Sequence, residues 1–483
     1  MKIFMDRSFS RIVFAAFFAL IVTKVSATTR YVDSSATGSN NGSSWANAWT
    51  TLSAVSASPG DIVYISGGPS GSTRTYAVPS VGYWNLPSGT SSAWITYQIG
   101  QDSAHNGAAI FTAGQYQLLS GPSYFTFSGD AGDGAMHFRL SGFSNKDVIS
   151  NINHFHFEYV DGSAGVGSIG SIGNGSENNV EINNCYFNIV DLGADHGIYA
   201  AFAGSSPSDN KIHHNTILVP HVGPGTGADG IQGAGSGYSI YNNTIRGYKA
   251  AYTGGQHQDG YQSTGGSTIR IYNNSFIDCS NYAIYGDAYF AGFSDFYVYN
   301  NLIAYEDSTL LTGTPGGIIF GVDGGYVGPS PCTFTNVVLA NNVICDYQNN
   351  GGVALSNITS RSSSFVNCKI ENNLLVNNAG GIRNEGNSTT TIANNVEISS
   401  ASAPSMITKY VKFGGRSNDY TPLPTATSLI GTGVNLSAYF TTDISGLLRV
   451  ASGSWDIGIA NSGGTSTQTP QAPSNAKISI TAQ

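Results

Sequence analysis

The chain has 483 residues, of which 61 are glycine and only 10% are charged, and its formal net charge is −9. This composition lacks material for long amphipathic helices and favours short strands joined by tight turns, because glycine and asparagine tolerate the left-handed backbone of such turns. With 20 Lys and Arg residues and no basic run, the sequence argues against nucleic-acid binding.

The N-terminus has the features of a secretion signal. Lys2, Arg7 and Arg11 precede an apolar run over residues 12–22, which is too short to span a bilayer, and small residues suited to cleavage follow it. Residues 1–27 are therefore predicted to be a signal peptide. The mature protein is expected to be extracellular or periplasmic, without insertion into a membrane.

The mature chain is predicted to begin with a capped first coil. A strand-like stretch near Tyr31 precedes a short helix over residues 49–55, and a turn leads into an apolar strand over residues 62–65. This succession resembles the opening of secreted right-handed parallel β-helix proteins, in which a short helix caps the first coil. Short apolar segments between residues 93 and 127 are predicted to be strands of the next coils.

From about residue 149 one pattern recurs: apolar, any residue, Asn, Asn, any residue, apolar. Such repetition predicts a solenoid, with asparagines of successive coils bonded to each other as a ladder; the alternative is that Asn-Asn marks exposed turns. The longest interval, from Asn301 to Asn342, predicts a loop insertion within residues 308–331 that would shape a binding groove. The copies are Asn183-Asn184, His214-Asn215, Asn242-Asn243, Asn273-Asn274, Asn300-Asn301, Asn341-Asn342, Asn372-Asn373 and Asn394-Asn395.

The Asn pattern stops before residue 400. Short motifs between residues 418 and 458 resemble the closing segment of secreted β-helix proteins, which covers the open end of the stack and prevents edge aggregation. Residues 462–483 have the Ser, Thr, Gly, Pro and Gln content of a flexible tail. The sequence therefore predicts one right-handed parallel β-helix domain over residues 28–461.

The cysteines indicate neither a zinc site nor a disulfide framework, because their number is odd and no CxxC spacing occurs. They are expected to be small buried residues of the coil interior, although one pair could be bridged in an oxidising compartment. The five are Cys185, Cys279, Cys332, Cys345 and Cys368.

Four tetrapeptides within residues 194–287 share one shape, and stacked coils would align them in columns with rungs about 4.8 Å apart. Carboxylates, amides and aromatic rings on successive rungs suit a sugar-binding groove, because they supply acid–base groups, hydroxyl partners and stacking faces. The first column is His196, Asp229, Asp259 and Tyr282, and the second is Tyr199, Gln232, Gln262 and Tyr285.

Asp229 and Asp259 are predicted to be a catalytic pair, because neighbouring carboxylates resist joint ionisation and so divide the acid and base roles. His257 and His196 are predicted to assist them. The alternative is that the aspartates, each followed by glycine, only cap turns. The predicted substrate-binding residues are Gln232, Gln262, Tyr199, Tyr261, Tyr285, Arg246 and Lys249.

The segments 228–231 and 258–261 resemble the first two acid motifs of the polygalacturonase-like glycoside hydrolases. The resemblance implies a parallel β-helix whose paired aspartates act as general acid and base, with no cofactor. The chain departs from that pattern at Gly260, where the family has Asp, and at Tyr282, where it has a His-Gly step. It also has Tyr272 in place of the lysine that helps to grip a uronic acid, so a neutral or differently charged glycan is as well matched as galacturonate.

Two other functions fit the same fold. A polysaccharide lyase would hold Ca²⁺ with carboxylates against a uronate, and Arg246 or Lys249 would abstract the proton next to the carboxyl group. The sequence contains no contiguous Asp-rich calcium loop. A non-catalytic surface protein would only bind glycan, and its stacked acids would be ordinary turn residues. The substrate partner in all three cases is a polysaccharide, and the oligomeric state is left open.

Overall fold

The structure is a computed structural model. It describes residues 27–79, 82–113, 117–150, 152–172, 179–190, 196–221, 228–249, 258–311, 316–322, 327–347, 352–355, 363–384 and 389–462. Within these ranges, none of the helices has the length and apolar content that a membrane span requires. The predicted signal peptide lies outside them apart from Ala27, and so does the tail beyond Ser462.

Parallel strands wind into a solenoid of about ten turns. A complete coil has three strand segments, exemplified by residues 229–236, 238–241 and 244–249, each paired in register with the coils before and after it. The first and second segments belong to a 20-stranded sheet and the third segments to a 13-stranded sheet. The all-β parallel β-helix predicted from the sequence is confirmed.

The strand bounds show how regularly the coils repeat. The large sheet comprises Thr29–Val32, Ile62–Ile65, Ile95–Ile99, Ser123–Ser128, Asn153–Glu158, Gly170–Ile172, Val180–Asn183, His196–Ala203, Asn210–His213, Asp229–Tyr241, Tyr261–Tyr272, Tyr282–Ala288, Phe293–Tyr299, Gly316–Val322, Cys332–Ala340, Val353–Leu355, Ser363–Val366, Lys369–Glu371, Ile382–Asn384 and Thr391–Ala393. The second sheet comprises Thr73–Ala77, Ala108–Thr112, Phe138–Ser141, Phe143–Asp147, Val160–Ser168, Tyr186–Ile189, Thr216–His221, Thr244–Lys249, Ser275–Ile277, Leu302–Ala304, Val343–Cys345, Leu374–Val376 and Val396–Ile398.

The remaining elements are short. Two parallel strands, Leu119–Ser120 and Ile149–Ser150, form a small sheet, and Ile407–Lys409 pairs antiparallel with Asp419–Pro422. The helices found in the described ranges are four single 3₁₀ turns: Leu52–Ala54, Ser308–Leu310, Ala403–Ser405 and Gly415–Ser417.

The interior consists of stacked apolar columns, because alternate residues of each strand point inward. Removing these side chains from water is the main favourable term for such a stack. One column follows the second segments and is 0% exposed throughout: Val63, Tyr97, Phe127, Phe157, Ile182, Ile212, Ile240, Ile271, Val298, Leu339 and Ile370. The cysteines are also buried and none is bridged, as small core residues would be.

The predicted asparagine ladder is present at the turn between the second and third segments. The side-chain amide of Asn243, for example, donates to Asn274 Oδ1 at 3.0 Å, and that oxygen also accepts from the backbone N–H of Asn243 at 3.0 Å. The ladder begins at Asn215 rather than Asn184, because Cys185 is the residue whose backbone N–H donates to Asn215. Its members are Asn215, Asn243, Asn274, Asn301, Asn342, Asn373 and Asn395.

The first Asn of each pair has a different task. From Asn242 onward it has a left-handed backbone and faces outward, and in several coils it holds residues 399–462, here called the strap. Asn300 Nδ2 donates to Thr442 O at 2.8 Å, Asn341 Nδ2 to Gly458 O at 2.9 Å and Asn372 Nδ2 to Val434 O at 2.9 Å. The strap therefore lies along the side of the solenoid.

The strap position corrects the prediction of a cap over the last coil. Ile392 continues the inward column after Ile370 but is 42% exposed, and the exposed Glu397 occupies the inward position that Leu375 has on the preceding coil. A charge at that place discourages pairing of the open edge with another chain. The cap predicted over the last coil is therefore wrong for the described residues.

The first coil is covered, although not by the predicted α-helix. The segment around Trp49 pairs with the first strand through Trp49 N–H to Tyr31 O and Asp33 N–H to Trp49 O, both at 2.9 Å. Trp49 and Leu52 are 5% and 1% exposed, so they close the apolar interior. The predicted helix is reduced to the 3₁₀ turn Leu52–Ala54.

Candidate active site

The first predicted column is formed at the start of the first segments. His196 pairs in register with Asp229. Asp229 Oδ1 accepts the backbone N–H of Asp259 at 2.8 Å, and Asp259 Oδ1 accepts the backbone N–H of Tyr282 at 2.8 Å. The four residues therefore follow one another on adjacent coils.

The two aspartates of this column are enclosed. Asp229 is 2% exposed and Asp259 is 0% exposed. Asp259 Oδ1 also accepts from Asn281 Nδ2 at 2.9 Å, so each carboxylate satisfies polar groups of the next coil. This geometry matches the turn-capping alternative, and the prediction that both carboxylates line an open face is wrong. Their part in catalysis stays a prediction.

The second column continues the polar stripe on the outer face. Tyr199, Gln232, Gln262 and Tyr285 pair in register on successive first segments. Gln232 Nε2 donates to Gln262 Oε1 at 2.8 Å, and Gln262 Nε2 lies 3.4 Å from Asp287 Oδ2. The amides therefore form a short ladder that ends on a carboxylate, and Asp287 is 7% exposed.

Aromatic rings border this stripe at both ends. The rings of His196 and Tyr199 are 5.1 Å apart, and those of Tyr282 and Tyr285 are 4.7 Å apart. Burial, followed by the charge of Asp259, raises the pKa of Tyr282, so its phenol keeps its proton at neutral pH.

Charged groups of three coils act on this phenol. The carboxylate of Asp287 also raises the pKa of Tyr282, and the guanidinium of Arg383 opposes the rise. Arg383 follows Tyr285, Ile319 and Ala354 in the register of the second column. Asp259, Asp287 and Arg383 therefore lie within electrostatic range of one tyrosine on the outer face of the first segments.

Two predicted subsite residues point elsewhere. Tyr261 is 0% exposed and its hydroxyl bonds the hydroxyl of Tyr238 at 2.6 Å inside the solenoid. Arg246 lies on a third segment, where its guanidinium pairs with Asp278 at 3.1 Å and Glu306 at 2.8 Å. Both substrate-binding predictions are therefore wrong, because Tyr261 is a core side chain and Arg246 is a structural ion-pair partner.

Two further predicted residues are outside what the structure describes. His257 precedes the described range that begins at Gln258, and for Lys249 only the backbone is described, at the end of Thr244–Lys249. The roles predicted for both side chains stay predictions.

The residues that the structure describes do not form a complete calcium site of the kind expected for elimination. Within the described ranges, no group of three or more His, Cys, Asp or Glu side chains could hold a metal ion. Asp229 Oδ1 and Asp259 Oδ1 are already hydrogen-bonded to the next coil, and Ca²⁺ requires six to eight oxygen ligands. The dependence on calcium that a lyase would have stays a prediction.

Asp287 is the carboxylate that the sequence interpretation missed. It comes two residues after Tyr285, and side chains two apart on a strand share a face. That spacing was sufficient to place it beside Tyr285. It was overlooked because it belongs to no Asp-Gly repeat.

No protein-family model and no curated protein matches the chain. Among solved structures, a pectate lyase is 15% identical, with 90% of this chain and 97% of that one aligned at a TM-score of 0.41. A PL6-family alginate lyase is 13% identical over 78% of this chain and 55% of its own, with a TM-score of 0.37. A GH136 lacto-N-biosidase from Eubacterium ramulus is 11% identical over 76% and 68%, with a TM-score of 0.37. At this similarity the fold assignment rests on the chain's own strand pairing, and the substrates of those enzymes carry no argument.

Proposed function

We propose that the protein is a secreted enzyme that hydrolyses polysaccharide on the outer face of its first segments. The observation that supports this most directly is the stripe from Gln232 through Gln262 to Asp287, with tyrosines at both ends. Amides suit sugar hydroxyls, rings suit the apolar faces of pyranoses, and a carboxylate suits acid–base chemistry.

Glycoside hydrolysis uses two carboxyl groups: one protonates the leaving oxygen, and the other attacks the anomeric carbon or activates water. We assign one role to Asp287, which lies on the outer face with Oδ2 oriented by Gln262. We assign the other role to Asp259, whose carboxylate, like that of Asp287, acts on Tyr282. Asp229 then has the positioning task of holding the backbone N–H of Asp259.

The burial of Asp259 sets a condition on this assignment. A side chain at 0% exposure reaches substrate only if residues around it move. Binding of a glycan would therefore have to be accompanied by a rearrangement around Asp259.

Elimination is the second candidate, and Arg383 supports it. Among the described first-segment strands from His196 to Asn384, Arg383 is the sole Lys or Arg. Its charge is felt at Tyr282, so a uronate held by Arg383 would lie near a phenol that can give its proton to the leaving oxygen. A lyase of this type would use Tyr282 as the acid and a carboxylate of the same face as the base that takes the proton next to the uronate carboxyl group.

The products of a glycan panel test the proposal. The purified protein is incubated with neutral and uronate-containing polysaccharides, and reducing ends and ultraviolet absorbance are followed together. Hydrolysis predicts new reducing ends without the absorbance of an unsaturated uronate. Appearance of that absorbance would replace hydrolysis by elimination. Binding without any cleavage would leave a glycan-binding protein.

A further inference from the structure

An exposed apolar wall stands at the end of the strand that carries Asp287. The wall consists of Tyr289, Phe290 and Val327. Phe290 is 58% exposed and Val327 is 64% exposed, which is far more than the buried apolar residues of the coils beneath them. Exposed apolar side chains grouped beside a polar stripe mark a binding surface more often than isolated ones do.

Hydrogen bonds fix this wall to the predicted site. Tyr289 N–H donates to Asp287 O at 2.8 Å, and Phe290 N–H donates to Thr264 O at 3.0 Å. Val327 N–H donates to Tyr289 O at 2.9 Å, which ties the two loops together. The wall is therefore held at the edge of the same two first segments that contribute Gln262 and Asp287.

The wall comes from loops and not from coil residues. Tyr289 and Phe290 join Tyr282–Ala288 to Phe293–Tyr299, and Val327 lies in the connection after Gly316–Val322. The latter falls within residues 308–331, where the long Asn301 to Asn342 interval predicts an insertion that shapes a binding groove. The rings of Tyr289 and Phe290 pack edge to face at 4.7 Å, which supports the exposed phenylalanine from one side.

The charges around the wall select the kind of sugar. The carboxylates of Asp259 and Asp287 are the charged side chains of the two first segments beside the wall, and the described loop residues 289–292 and 327–331 contain no Lys or Arg. Arg270 lies 3.5 Å over the ring of Tyr297 on the second-segment face. Arg383 is separated from Tyr285 by three rungs, about 14 Å at the spacing of paired strands. Among the described residues, a carboxylated sugar beside Asp287 would therefore meet like charge at the wall, while Arg383, whose charge acts on Tyr282, comes from a coil three rungs away.

We propose that Phe290, supported by Tyr289 and Val327, is the stacking platform of a subsite for an uncharged pyranose next to Asp287. The inference rests on the proposed glycan-cleaving site and assigns the sugar class that this part of it takes. An aromatic face and an aliphatic side chain bind the C–H face of a pyranose, while Gln262 and Asp287 take its hydroxyl groups.

Calorimetric binding to an inactive form tests the subsite. Asp287→Asn protein is titrated with neutral hexasaccharides (cello-, xylo-, manno- and galacto-) and with hexamers of galacturonate and mannuronate. The double variant Asp287→Asn/Phe290→Ala is expected to bind the preferred neutral hexamer about fivefold more weakly, since ring contacts contribute 0.5–1.5 kcal/mol. The matched control is Asp287→Asn/Leu448→Ala, which removes a 53% exposed apolar side chain from the strap and should bind as tightly as Asp287→Asn.

The outcomes separate the subsite from the activity. Unchanged neutral-sugar affinity on removal of Phe290 overturns the platform, while cleavage by the wild-type protein would still support the proposed function. Tighter binding of the uronate hexamers than of every neutral hexamer overturns the assignment to an uncharged sugar. If the wild-type protein neither cleaves nor binds any member of the panel, the proposed function and the subsite fall together.

Discussion

The protein contains two columns of stacked amides with opposite character. At the turn after the second segments, Asn243 and Asn274 are 2% and 0% exposed, and Asn274 Oδ1 accepts two N–H groups while its Nδ2 donates to Ile240 O and Asn301 Oδ1. On the first segments, Gln232 and Gln262 make one link each toward the next coil, and the series stops at Asp287.

The two columns differ in how many hydrogen bonds their amides make within the fold, and this difference separates a structural column from a candidate binding column. A buried polar group is costly unless its hydrogen bonds are made, so the asparagine ladder is closed and can only stabilise. The glutamine stripe ends in a carboxylate, Asp287, which is 7% exposed and shares its strand end with the exposed ring of Phe290; this is where substrate is proposed to bind. Asp229 and Asp259 belong with the closed type, although their sequence pattern resembles that of catalytic acids.

The largest expected effect is at Asp287, the carboxylate at the end of the glutamine stripe. Asp287→Asn should lower kcat on the cleaved glycan about 100-fold to 10,000-fold, since loss of a positioned acid or base has that cost. Thermal unfolding should be unchanged, because the new amide oxygen can still accept from Gln262. Asp295→Asn is a matched control: its carboxylate also has one amide partner, Asn336 at 2.8 Å, but lies on a second segment. Equal activity of the two variants would remove Asp287 from the mechanism.

The closed ladder predicts a stability effect without a catalytic one. Asn274→Ala leaves the buried N–H and Nδ2 of Asn243 without their acceptor and should lower the free energy of unfolding by about 3 kcal/mol. Urea titration measures this loss. The control is Asn242→Gly, at an exposed outer position with φ +56°, which glycine adopts freely. A comparable loss of unfolding free energy in the control would mean that the inner ladder stabilises the fold no more than the outer asparagines do.

Variants of Asp229 test whether the enclosed aspartates are structural, like the asparagine ladder, or catalytic. Asp229→Ala should lower the free energy of unfolding by about 1–2 kcal/mol, because Asp259 N–H loses its acceptor. Asp229→Asn should retain both stability and kcat, since an amide oxygen can accept the same bond. The two variants are compared by denaturant titration and by initial rates. A folded Asp229→Asn protein as inactive as Asp287→Asn would restore the originally predicted pair of Asp229 and Asp259.

The sequence predicted the solenoid and its inner ladder because the Asn motif repeats over many successive coils. It also contained the correction for Tyr261, which aligns with Ile198, Ile231 and Ile284 in one inward column. Three aliphatic residues at that position indicate an interior side chain. The prediction for Tyr261 was wrong because the segment was interpreted from its aspartate, Asp259, and not from the inward position that Tyr261 shares with the aliphatic residues.

Other features lack a repeated signal and could not be predicted. The strap is bonded by outer asparagines through backbone carbonyls such as Thr442 O, which no side-chain pattern encodes. The burial of Asp229 and Asp259 depends on the path of the chain beside them. Phe290 became notable only when the loops that carry it were found at the strand edge of Asp287.

A third polar column, on the outer face of the second segments, gives the smallest expected effect. Glu181 Oε1 accepts from His213 Nε2 at 2.9 Å, and Lys211 Nζ lies 3.5 Å from Oε2. The hydrogen bond from His213, with a further contribution from the charge of Lys211, lowers the pKa of Glu181 to about 2 from its ordinary 4.5. The ionised group therefore stabilises the fold above pH 4.5, and this stabilisation is lost as the pH falls through about 2.

Glu181→Gln should lower the free energy of unfolding at pH 7 by about 1 kcal/mol, because partial exposure screens the pair, and should flatten the decline between pH 4.5 and 3. Denaturant titrations at pH 7, 4.5 and 3 measure both changes. Glu397→Gln, at the exposed end of the last coil, should leave the decline as it is in the wild-type protein. If Glu181→Gln loses stability equally at all three values, the contact acts through packing. The hydrogen bonds of this column would then stabilise the fold through packing and not through charge, whereas the glutamine stripe is proposed to act through the charge of Asp287.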